Sequence, residues 1–577
     1  MKQLSKLYNP KKFENIRDII KNAVEQYPTN NAFIIKEKIE NKIDYKYISY
    51  KNFYEDINGL GTGLLHLGLK DKRIAIIGKN SYEWILSYIS ILNGVGITVP
   101  LDKGLKENEI ISSIIRSKAD AIIFEKEYID IIQKMKKETN LKTYICMHSL
   151  SSEENNDSSI LDFNEIVSVG KDLLNHGDSN YINTTIDSEK MSSIVFTSGT
   201  SSVSKAVMLC HKNIASNIYD MQCTEKVYDT DVNIAFLPFH HMFGSTGILF
   251  FLAHGATNVF CDGLRHVQKN LIEYKVSVFV CVPLLLEAMY KKIIVEVEKQ
   301  GKTKLIKFGT KLSKFLLKFK IDIRRKLFKE IIDKLGGNLR LVISGASGID
   351  KKVADGFNNF GILAIQGYGL TETAPVLAAE NEKAMKLGSC GVPMLSVDLK
   401  IDNPNEDGIG EIVVKGPNVM LGYYENEKAT NEVLKDGWFY TGDLGYLDKD
   451  GYIHITGREK NVIVLKNGKN VYPEELENVI SNLEYVAESM VYGKPKDDDF
   501  IVSVKIVYNE EIMKDKFNTT SEDKIKEIIW NDIKKINNDL PNYKHIKHLE
   551  ITTEPMIKTT TAKVKRHEEI KKNNLNK

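Results

Sequence analysis

Short β-branched runs alternate with longer helical patterns through roughly the first 400 residues of the chain, and this alternation is what most constrains its fold. Residues 73–78 are typical of a buried strand, and residues 81–92 of a helix that begins at a serine cap. The same strand type recurs at 121–124, 276–280 and 339–343. Parallel strands need a crossover between them, usually a helix. The pattern therefore predicts an α/β fold in which mostly parallel sheets are covered by helices.

The periodicity changes towards the end of the chain. Residues 397–414 contain short alternating strands around a dense turn segment, which predicts a small antiparallel β insert. After that insert, strand-like runs mix with helices such as 473–482, which begins with a proline. We therefore predict a large domain over residues 1–457 and a small α+β domain over residues 458–577.

Composition excludes several functional classes. The 577 residues carry 79 Lys+Arg against 77 Asp+Glu, a net charge of +2, so we expect no nucleic-acid partner. The six cysteines form neither a C-x-x-C pair nor a metal pattern, which favours free thiols in a reducing compartment. Residues 1–13 lack the apolar stretch of a signal peptide, so a cytoplasmic location is expected. The apolar stretches 84–101 and 234–253 are interrupted by polar residues and glycines, which favours buried core over membrane spans.

A group of small hydroxyl residues and glycine follows the apolar run 194–196 and leads to a lysine: Thr197, Ser198, Gly199, Thr200, Ser201 and Lys205. Backbone N–H groups, hydroxyls and one ammonium in such a loop can bind phosphate oxygens. The segment is not a Walker A loop, because G-x-x-x-x-G-K-[ST] is absent. Taken alone, it is explained equally well as a surface turn.

A second loop follows the apolar run 361–365. Glycines on both sides of Tyr368 let its ring lie beside the backbone, which suits stacking on a purine. Thr371 and Glu372 then supply a phosphate donor and a Mg²⁺ ligand. A strand-to-helix turn capped by Thr371 explains the segment on its own, but together with the first loop nucleotide binding is the better account.

A third cluster combines Asp443, which follows a glycine, with Arg458. Such an aspartate can accept both hydroxyls of a ribose, and the arginine can add charged donors to the sugar or its phosphate. Singly, each segment is compatible with a hairpin turn. Three phosphate-type or sugar-type loops in succession before a small terminal domain favour a nucleotide-dependent enzyme.

Five segments, in this order, resemble the motifs of the adenylate-forming superfamily of acyl-CoA synthetases, adenylation domains and luciferases. They are the phosphate loop 197–205, the adenylate motif 368–372, the ribose motif 440–443, the hinge 457–460 and the terminal lysine segment 559–566. Within the superfamily the chain is most similar to long-chain fatty acyl-CoA synthetases. That resemblance is carried by 237–244, beside their acyl pocket, and by 337–347, which leads to their adenine site.

The resemblance implies an α/β adenylate-forming domain followed by a small mobile domain. It also implies that ATP, with Mg²⁺, converts a carboxylic acid to an acyl-adenylate and that the thiol of CoA then displaces AMP. Phosphate contacts are assigned to the loop residues Thr197, Ser198, Gly199, Thr200, Ser201 and Lys205. Adenine contacts are assigned to Gly345, Ala346, Ser347, Gln366, Gly367, Tyr368 and Gly369.

The remaining assignments follow from the same resemblance. Asp443 and Arg458 anchor the ribose, and Glu372 with Thr200 binds Mg²⁺. Lys563, Glu372 and Thr371 are the catalytic group. The acyl pocket is lined by His241, Phe243 and Gly244, Lys460 is the hinge, and the stretch ending at Gly468 admits the CoA thiol.

Two departures from the family pattern stand out. Residues 201–206 replace two glycines and a proline of the usual phosphate loop, so we expect phosphate binding to survive and the rate of ATP capture to change. Ala562 stands where a glycine is usual before the terminal lysine, and Lys565 lies close to the assigned Lys563.

Two other patterns suggest sites that we interpret otherwise. Gly59, Gly61 and Gly63 lie in a helical rather than a strand-to-helix context, which favours helix packing over a dinucleotide loop. His240 and His241 are adjacent and no third ligand is evident, so we interpret His241 as lining the pocket and His240 as structural, and expect no metal there.

The segment 302–334 has an apolar helical face formed by Phe308, Leu312, Phe315 and Phe319, with basic residues around it. The basic set comprises Lys304, Lys307, Lys311, Lys314, Lys318, Arg324, Arg325 and Lys326. This pattern is typical of a helix on anionic lipid, which would place the protein peripherally on the inner membrane face. The alternative is a basic helix packed on its own domain.

Three functional hypotheses follow from the sequence. A fatty acid:CoA ligase is the leading one. A ligase with the same first step that loads the phosphopantetheine of an acyl carrier protein is the second, and a non-catalytic nucleotide-binding or lipid-binding relative is the third. The identity and length of the acyl chain, and the oligomeric state, lie outside what these motifs determine.

Overall fold

The computed structural model describes residues 3–39, 42–150, 157–197, 204–466, 469–496, 499–558 and 564–572. The chain forms two compact units. The first comprises Met1–Thr197, Lys205–Asp398 and Lys415–Gly437, and the second is built from Leu399–Val414 and Trp438–Lys577. The domain boundary at residues 457 and 458 stays a prediction.

An eight-stranded sheet forms one half of the first unit. Its strands, in spatial order, are Gly422–Tyr423, Lys205–Cys210, Met191–Thr197, Gly96–Leu101, Lys72–Ile77, Ala121–Phe124, Thr143–Cys146 and Ile160–Asp162. The last six are parallel to one another, and the first two join antiparallel. Ile122 and Phe124 pack with Ile110 and Ile114 of a covering helix.

A nine-stranded sheet forms the other half. Its strands, in spatial order, are Val392–Pro393, Val376–Ala379, Leu363–Gly369, Leu341–Ser344, Val278–Cys281, Val232–Ala235, Thr257–Phe260, Asn31–Ile39 and Lys42–Ser49. The six strands from Leu363–Gly369 to Asn31–Ile39 are parallel, and antiparallel strands complete both edges. The predicted α/β class with mostly parallel sheets is confirmed.

Helices cover both sheets of the first unit. The α-helices are Ile16–Gln26, Tyr50–His66, Tyr82–Ser90, Glu107–Ser117, Ile129–Glu138, Phe163–Asn175, His211–Thr224, Met242–Leu252, Val267–Glu273, Pro283–Lys299, Thr303–Leu317, Arg324–Leu327, Lys329–Lys334, Lys351–Asn359 and Glu427–Val433. Short 3₁₀ turns lie at Lys126–Tyr128, Leu264–His266 and Thr371–Thr373.

The helix predicted at 81–92 is confirmed, with an earlier end. Ser81 caps it by accepting a hydrogen bond from the Trp84 N–H at 3.2 Å. The α-helix ends at Ser90, and a π-helical turn over Ile91–Val95 follows. Gly94 adopts φ = 128°, which a residue with a Cβ rarely adopts, so the helical pattern cannot continue through it.

The glycines at 59–63 serve helix packing, as predicted. They lie on Tyr50–His66, which packs against the helix Phe163–Asn175. A Cβ at Gly170 would lie 1.8 Å from the Gly59 carbonyl oxygen, and a Cβ at Gly63 would lie 2.4 Å from the Ile166 carbonyl oxygen. The two backbones therefore approach each other too closely for any side chain at the crossing.

The second unit is α+β, as predicted. An antiparallel part contains Asp398–Asp402, Gly410–Lys415, Trp438–Leu447 and Ile453–Arg458, and a small hairpin pairs Ile463–Val464 with Asn470–Val471. The main sheet contains Val486–Lys496, Asp499–Tyr508 and His548–Thr552. Its α-helices are Pro473–Ile480, Glu510–Phe517, Glu522–Asn538 and Arg566–Lys572.

The core of the second unit lies between its main sheet and the long helix Glu522–Asn538. Val502, Val504 and Ile506 pack against Ile529 and Ile533, which recur at helical spacing and are almost completely buried. Across the described residues, none of the helices combines the length and the apolar composition that crossing a bilayer requires.

Candidate active site

Strand pairing brings the two ends of the predicted phosphate loop together. Thr197 ends one strand, Lys205 begins the next, and the two are Cα partners in an antiparallel ladder. The Thr197 hydroxyl donates to the Lys205 carbonyl oxygen at 3.4 Å. The predicted phosphate contacts Ser198, Gly199, Thr200 and Ser201 lie outside the described residues. The described ends nevertheless place Thr197 and Lys205 opposite each other on adjacent strands.

Tyr423 connects this loop with the predicted metal ligand. The Lys205 Nζ lies 4.4 Å from the centroid of the Tyr423 ring. The Tyr423 hydroxyl donates to Glu372 Oε1 at 3.0 Å. The Lys205 ammonium and the Glu372 carboxylate thus both contact the side chain of Tyr423. We refer to Lys205, Tyr423 and Glu372 as the phosphate cluster.

The carboxylate of Glu372 suits Mg²⁺. A carboxylate offers two acceptor oxygens, and the Tyr423 hydroxyl donates to one of them, Oε1 of Glu372. Mg²⁺ is typically bound by one or two carboxylates together with substrate phosphates and water. Glu372 therefore fits this ion, whereas the second predicted ligand, Thr200, lies outside the described residues.

A downstream segment fixes the turn that carries Thr371 and Glu372. The Asn418 side-chain amide donates to the Thr373 carbonyl oxygen at 2.8 Å, and the Met420 N–H donates to the Glu372 carbonyl oxygen at 2.8 Å. Sequence reasoning missed Asn418 and Tyr423 because neither lies in a recognisable motif. Their partners are 45 and 51 residues away in the chain, a separation that local patterns do not encode.

The predicted adenine motif lies at the end of the strand Leu363–Gly369. Tyr368 is largely buried in the ladder opposite Ala378, and a Cβ at Gly369 would lie 1.8 Å from the Pro375 carbonyl oxygen. Gly367 precedes the tyrosine on the same strand. Residue 369 must therefore be a glycine, because the backbone at Pro375 approaches it too closely for a side chain.

Gln366 supports the neighbouring loop. Its side-chain oxygen accepts from the Ile349 N–H at 2.7 Å, and its amide nitrogen donates to the Ser389 carbonyl oxygen at 3.2 Å. The loop before Ile349 contains the predicted adenine contacts Gly345, Ala346 and Ser347. The amide of Gln366 is therefore engaged by the protein backbone, and its contact with nucleotide stays a prediction.

The same loop touches the predicted acyl pocket. Ala346 adopts φ = 72°, in the left-handed region. A Cβ at Gly345 would lie 2.7 Å from Phe243 Cζ, so the ring of Phe243 fills the space beside this glycine. The two sites that the sequence assigned to acyl chain and adenine are thus adjacent within the first unit.

Phe243 and Gly244 line a small, mostly apolar cavity at the start of the helix Met242–Leu252. Its other lining residues include Leu237, Phe239, Gly247, Ile248, Phe251 and Val280. A Cβ at Gly244 would lie 2.2 Å from the Pro238 carbonyl oxygen, which explains the glycine. At Gly247 a Cβ would meet only Val280, at 3.6 Å, so this position is open towards the cavity.

The expectation that no third ligand lies near His240 and His241 is wrong. Asp102 follows the strand Gly96–Leu101, and its Oδ2 lies 3.4 Å from His240 Nε2. One ligand atom from each of the three residues falls within 4.8 Å of the others, a set that can approach a transition-metal ion. The two imidazole rings are 4.2 Å apart. Asp102 and the buried His240 therefore fix the surroundings of His241, which caps the helix beside the cavity.

In the second unit the predicted ribose residues are paired. Asp443 and Arg458 are Cα partners on adjacent antiparallel strands, and Arg458 Nε lies 2.7 Å from Asp443 Oδ1. Asp443 is buried, and its N–H donates to the Thr441 hydroxyl at 3.1 Å. The ladder thus presents a carboxylate with a fixed orientation beside a half-exposed guanidinium.

The terminal segment is clamped on both sides of the predicted catalytic lysine. Lys563 lies outside the described residues, as does Gly468 of the predicted CoA channel. Lys558 and Val564 form an isolated antiparallel bridge around the undescribed stretch. Lys558 Nζ lies 2.7 Å from Glu488 Oε1. Lys460, the predicted hinge, is exposed in a short 3₁₀ turn.

One partly buried and one buried ion pair hold the segment that follows. Arg566 donates to Glu477 Oε2 at 2.5 Å, and Lys505 Nζ lies 2.7 Å from Glu569 Oε1. Burial raises the pKa of Glu477, against the opposing effect of the Arg566 charge. Glu569 also accepts from the Ile557 N–H at 3.0 Å, so it ties both ends of the clamp together.

Comparison with known proteins gives one consistent result. A family model described as AMP-binding enzyme matches residues 20–424, and one described as AMP-binding enzyme C-terminal domain matches residues 460–575. Long-chain-fatty-acid–CoA ligase 5 of Mus musculus is 30% identical over 575 residues, which cover 91% of this chain and 82% of that protein. A chloroplastic long-chain-fatty-acid–[acyl-carrier-protein] ligase of Arabidopsis thaliana is 26% identical, over 85% of this chain and 76% of that protein.

Among solved structures, the fold is similar to that of o-succinylbenzoate coenzyme A synthetase from Bacillus subtilis in complex with ATP and magnesium ion. The TM-score is 0.71 at 18% identity, covering 96% of this chain and 98% of that one.

Proposed function

The chain belongs to the family of AMP-binding enzymes, and from that premise we propose that it is a long-chain fatty acid:CoA ligase. The acid's carboxylate attacks the α-phosphorus of ATP to give an acyl-adenylate and pyrophosphate. The thiol of CoA then attacks the acyl carbon, and AMP leaves. This activation is needed because direct acyl transfer from a carboxylate would expel oxide. The observation that carries the proposal is the phosphate cluster.

In the first step the main difficulty is repulsion between the carboxylate and the triphosphate. The Lys205 ammonium and the Thr197 hydroxyl would hold the terminal phosphates, which makes this chemistry largely a matter of positioning. Glu372 would hold Mg²⁺, which supplies positive charge against the phosphate oxygens. We assign to Lys563 the ammonium that stabilises charge between the reacting groups.

The fixed pair in the second unit suits the sugar. A buried aspartate whose orientation is set by Arg458 can accept both ribose hydroxyls at little cost in side-chain entropy. Tyr368 and the loop 345–347 would lie on the two sides of the adenine. His241 would face the carboxylate end of the acid, and the small cavity of about 20 Å³ beyond Phe243 would take the carbons next to it.

The test is pyrophosphate release with Mg·ATP over a panel of acids from acetate to palmitate plus benzoate, each with and without CoA. Turnover that rises with chain length and requires CoA is expected. If pyrophosphate is released but the acyl group is transferred only to an added holo acyl carrier protein, the acceptor is that protein and not CoA, as the name of the Arabidopsis relative indicates for that enzyme. Absence of release with every acid would leave only a non-catalytic nucleotide-binding or lipid-binding role.

Gly247 offers a sharper test of the acyl site. Gly247→Leu would fill the cavity, so it should lower kcat/KM for palmitate at least tenfold more than for acetate. Gly247→Ala is the matched control, because its Cβ meets only ordinary contact with Val280. An equal loss of kcat/KM for palmitate and acetate would show that the acyl chain does not bind in this cavity.

Two finer proposals complete the functional picture. We place the protein in the cytoplasm, where ATP and CoA are available. We also propose that the segment 302–334 contacts the inner membrane face, from which a long-chain acid with low water solubility would be taken.

A further inference from the structure

The helix Thr303–Leu317 is packed with its small residues inward. Gly309 and Ser313 are buried, and a Cβ at Gly309 would lie 3.1 Å from Leu327 Cδ2. The large apolar residues point to solvent: Leu305 is 62% exposed, Phe308 65% and Phe315 56%. A helix of a globular protein usually buries its large apolar stripe. This one packs Ile306 against a core cluster but leaves the larger part of its apolar side chains in solvent, so its outer face needs an explanation beyond the protein's own core.

The exposed residues form one stripe. Leu305, Phe308, Leu312, Phe315 and Phe319 recur at intervals of three and four, which places them on one face of a helix. The rings of Phe315 and Phe319 touch edge to face at 5.3 Å. Single exposed apolar residues are ordinary, but a contiguous exposed apolar patch marks an interaction site.

Lysines run along one edge of this stripe. Lys304, Lys307, Lys311, Lys314 and Lys318 each precede one of the five apolar residues, and the helix contains no acidic residue. Lys314 is engaged by Asp355 at 3.1 Å. The exposed lysines Lys304, Lys307, Lys311 and Lys318, with the five apolar residues, define what we call the lysine–phenylalanine face.

The structure corrects the basic set predicted for this segment. Arg324 donates to the Asn358 carbonyl oxygen at 2.7 Å, and Arg325 donates to the Leu339 carbonyl oxygen at 2.6 Å. Both guanidinium groups are therefore used to fasten the segment to its own unit. Lys326 remains exposed, so the outward-facing charge of the predicted set comes from lysines and not from the two arginines.

We propose that the lysine–phenylalanine face docks on the surface of a bilayer that contains anionic lipid, and that the acyl substrate enters from there. The proposal rests on the proposed function for its second part. Apolar rings flanked by lysines match an interfacial helix, whose rings enter the acyl boundary while its ammonium groups meet anionic headgroups. A second copy of the chain is a poorer occupant, because a two-fold interface would set lysines against lysines.

The test is sedimentation of the full chain with vesicles of phosphatidylcholine alone or with phosphatidylglycerol added. Wild type is expected to bind the anionic vesicles more tightly, and high salt should weaken that binding. The variant Lys304→Glu/Lys307→Glu/Lys311→Glu should lose roughly tenfold or more in affinity. Phe308→Ser/Phe315→Ser should also lose binding, because the apolar contribution disappears.

A matched control changes the same charge on another exposed helix. Lys524, Lys526 and Lys534 lie on Glu522–Asn538, whose isoleucines point inward. Lys524→Glu/Lys526→Glu/Lys534→Glu should retain binding within about twofold. Equal losses in the two lysine variants, or unchanged binding in the lysine and phenylalanine variants, would overturn the proposal. Ultracentrifugation tests whether the chain dimerises through this face. A dimer that the phenylalanine variant no longer forms, without any vesicle binding, would assign the face to a second copy of the chain.

Turnover separates this proposal from the proposed function. With acetate, the face variants should release pyrophosphate at the wild-type rate, whereas with palmitate held in anionic vesicles they should be several-fold slower. Wild-type vesicle binding without any turnover would refute the ligase activity and leave the docking face standing. Turnover without vesicle binding would refute the docking face alone.

Discussion

His211 in the first unit and Glu569 in the second are both buried, but His211 is held neutral and Glu569 is held in an ion pair. Burial lowers the pKa of His211 to about 4, and that of the partly buried His254 likewise, so these imidazoles are neutral near pH 7. Glu569 instead lies 2.7 Å from the buried Lys505, and the pair joins positions 64 residues apart. A neutral buried group needs no oppositely charged partner. A buried ion pair does need one, and it therefore fixes the two segments that carry the charges relative to each other. The second arrangement occurs in the unit whose described residues Ile557 and Glu569 flank the undescribed stretch 559–563.

The largest effect should come from Lys563, to which the sequence assigns the catalytic ammonium. Lys563→Ala is expected to lower adenylation about a thousandfold, because it removes charge stabilisation at the reacting groups. The measurement is carboxylate-dependent pyrophosphate release. Lys565→Ala is the control, since Lys565 pairs with the exposed Glu568 at 3.0 Å. A severe loss in the control with normal turnover in Lys563→Ala would transfer the role to Lys565.

Substitution of Glu372 tests whether a charged side chain of the first unit is also needed for activity. Glu372→Gln removes the negative charge and should lower kcat about a hundredfold, with a higher Mg²⁺ concentration needed for half-maximal rate. Tyr423→Phe removes only a neutral hydrogen bond, so its loss should stay within about tenfold. A Mg²⁺ titration of all three proteins checks this. Identical Mg²⁺ dependence in wild type and Glu372→Gln would exclude Glu372 as the metal ligand.

Breaking the buried pair should destabilise the second unit. Glu569→Gln leaves Lys505 unpaired in a buried site and is expected to lower the free energy of unfolding by about 3 kcal/mol. Urea denaturation followed by limited proteolysis at the second unit measures this. The double change Lys505→Met/Glu569→Leu should recover most of the loss, because no charge remains buried. A loss equally large in the double variant would show that packing, not charge, dominates there.

The same exchange of Glu for Gln should behave differently in the first unit. Burial raises the pKa of Glu225 to about 7, and its Oε2 has no hydrogen-bond partner among the described residues. Because this folded-state pKa lies above the ordinary value, Glu225 contributes stability at low pH that is lost as pH rises through about 7. Glu225→Gln should therefore be nearly neutral at pH 5 and more stable than wild type by about 1 kcal/mol at pH 8.

Thermal denaturation of wild type and Glu225→Gln at the two pH values checks this sign. Destabilisation at both values would mean that Glu225 is stabilised as a carboxylate. The first unit would then also hold a buried charge at this position, as the second unit does at Glu569.

Motif order and periodicity predicted the α/β class, the change to an antiparallel insert and the terminal α+β unit. They succeeded because each depends on local patterns: strand 121–124 is found as Ala121–Phe124, and Ser81 caps its helix. The sequence assigned Asp443 and Arg458 to one site, and the structure pairs them on adjacent strands. Their contact with a ribose stays a prediction.

Contacts between distant segments were beyond the sequence. Asp102 precedes His240 by 138 positions in the sequence. The two residues meet because the parallel strand Gly96–Leu101 ends beside His240. Tyr423 reaches Glu372 through a two-residue strand that no periodicity reveals. Arg324 and Arg325 have the composition of a lipid-facing patch, but their guanidinium groups turn to backbone carbonyl oxygens. In each case tertiary placement decides what a residue does.

The inverted packing of the helix Thr303–Leu317 has a practical consequence for handling the protein. Because Gly309 and Ser313 face inward, the exposed aromatic residues can be exchanged for polar ones without opening a cavity. Such variants should elute as sharper peaks in size-exclusion chromatography and need less detergent during purification. They are therefore suitable starting material for growing crystals with bound nucleotide.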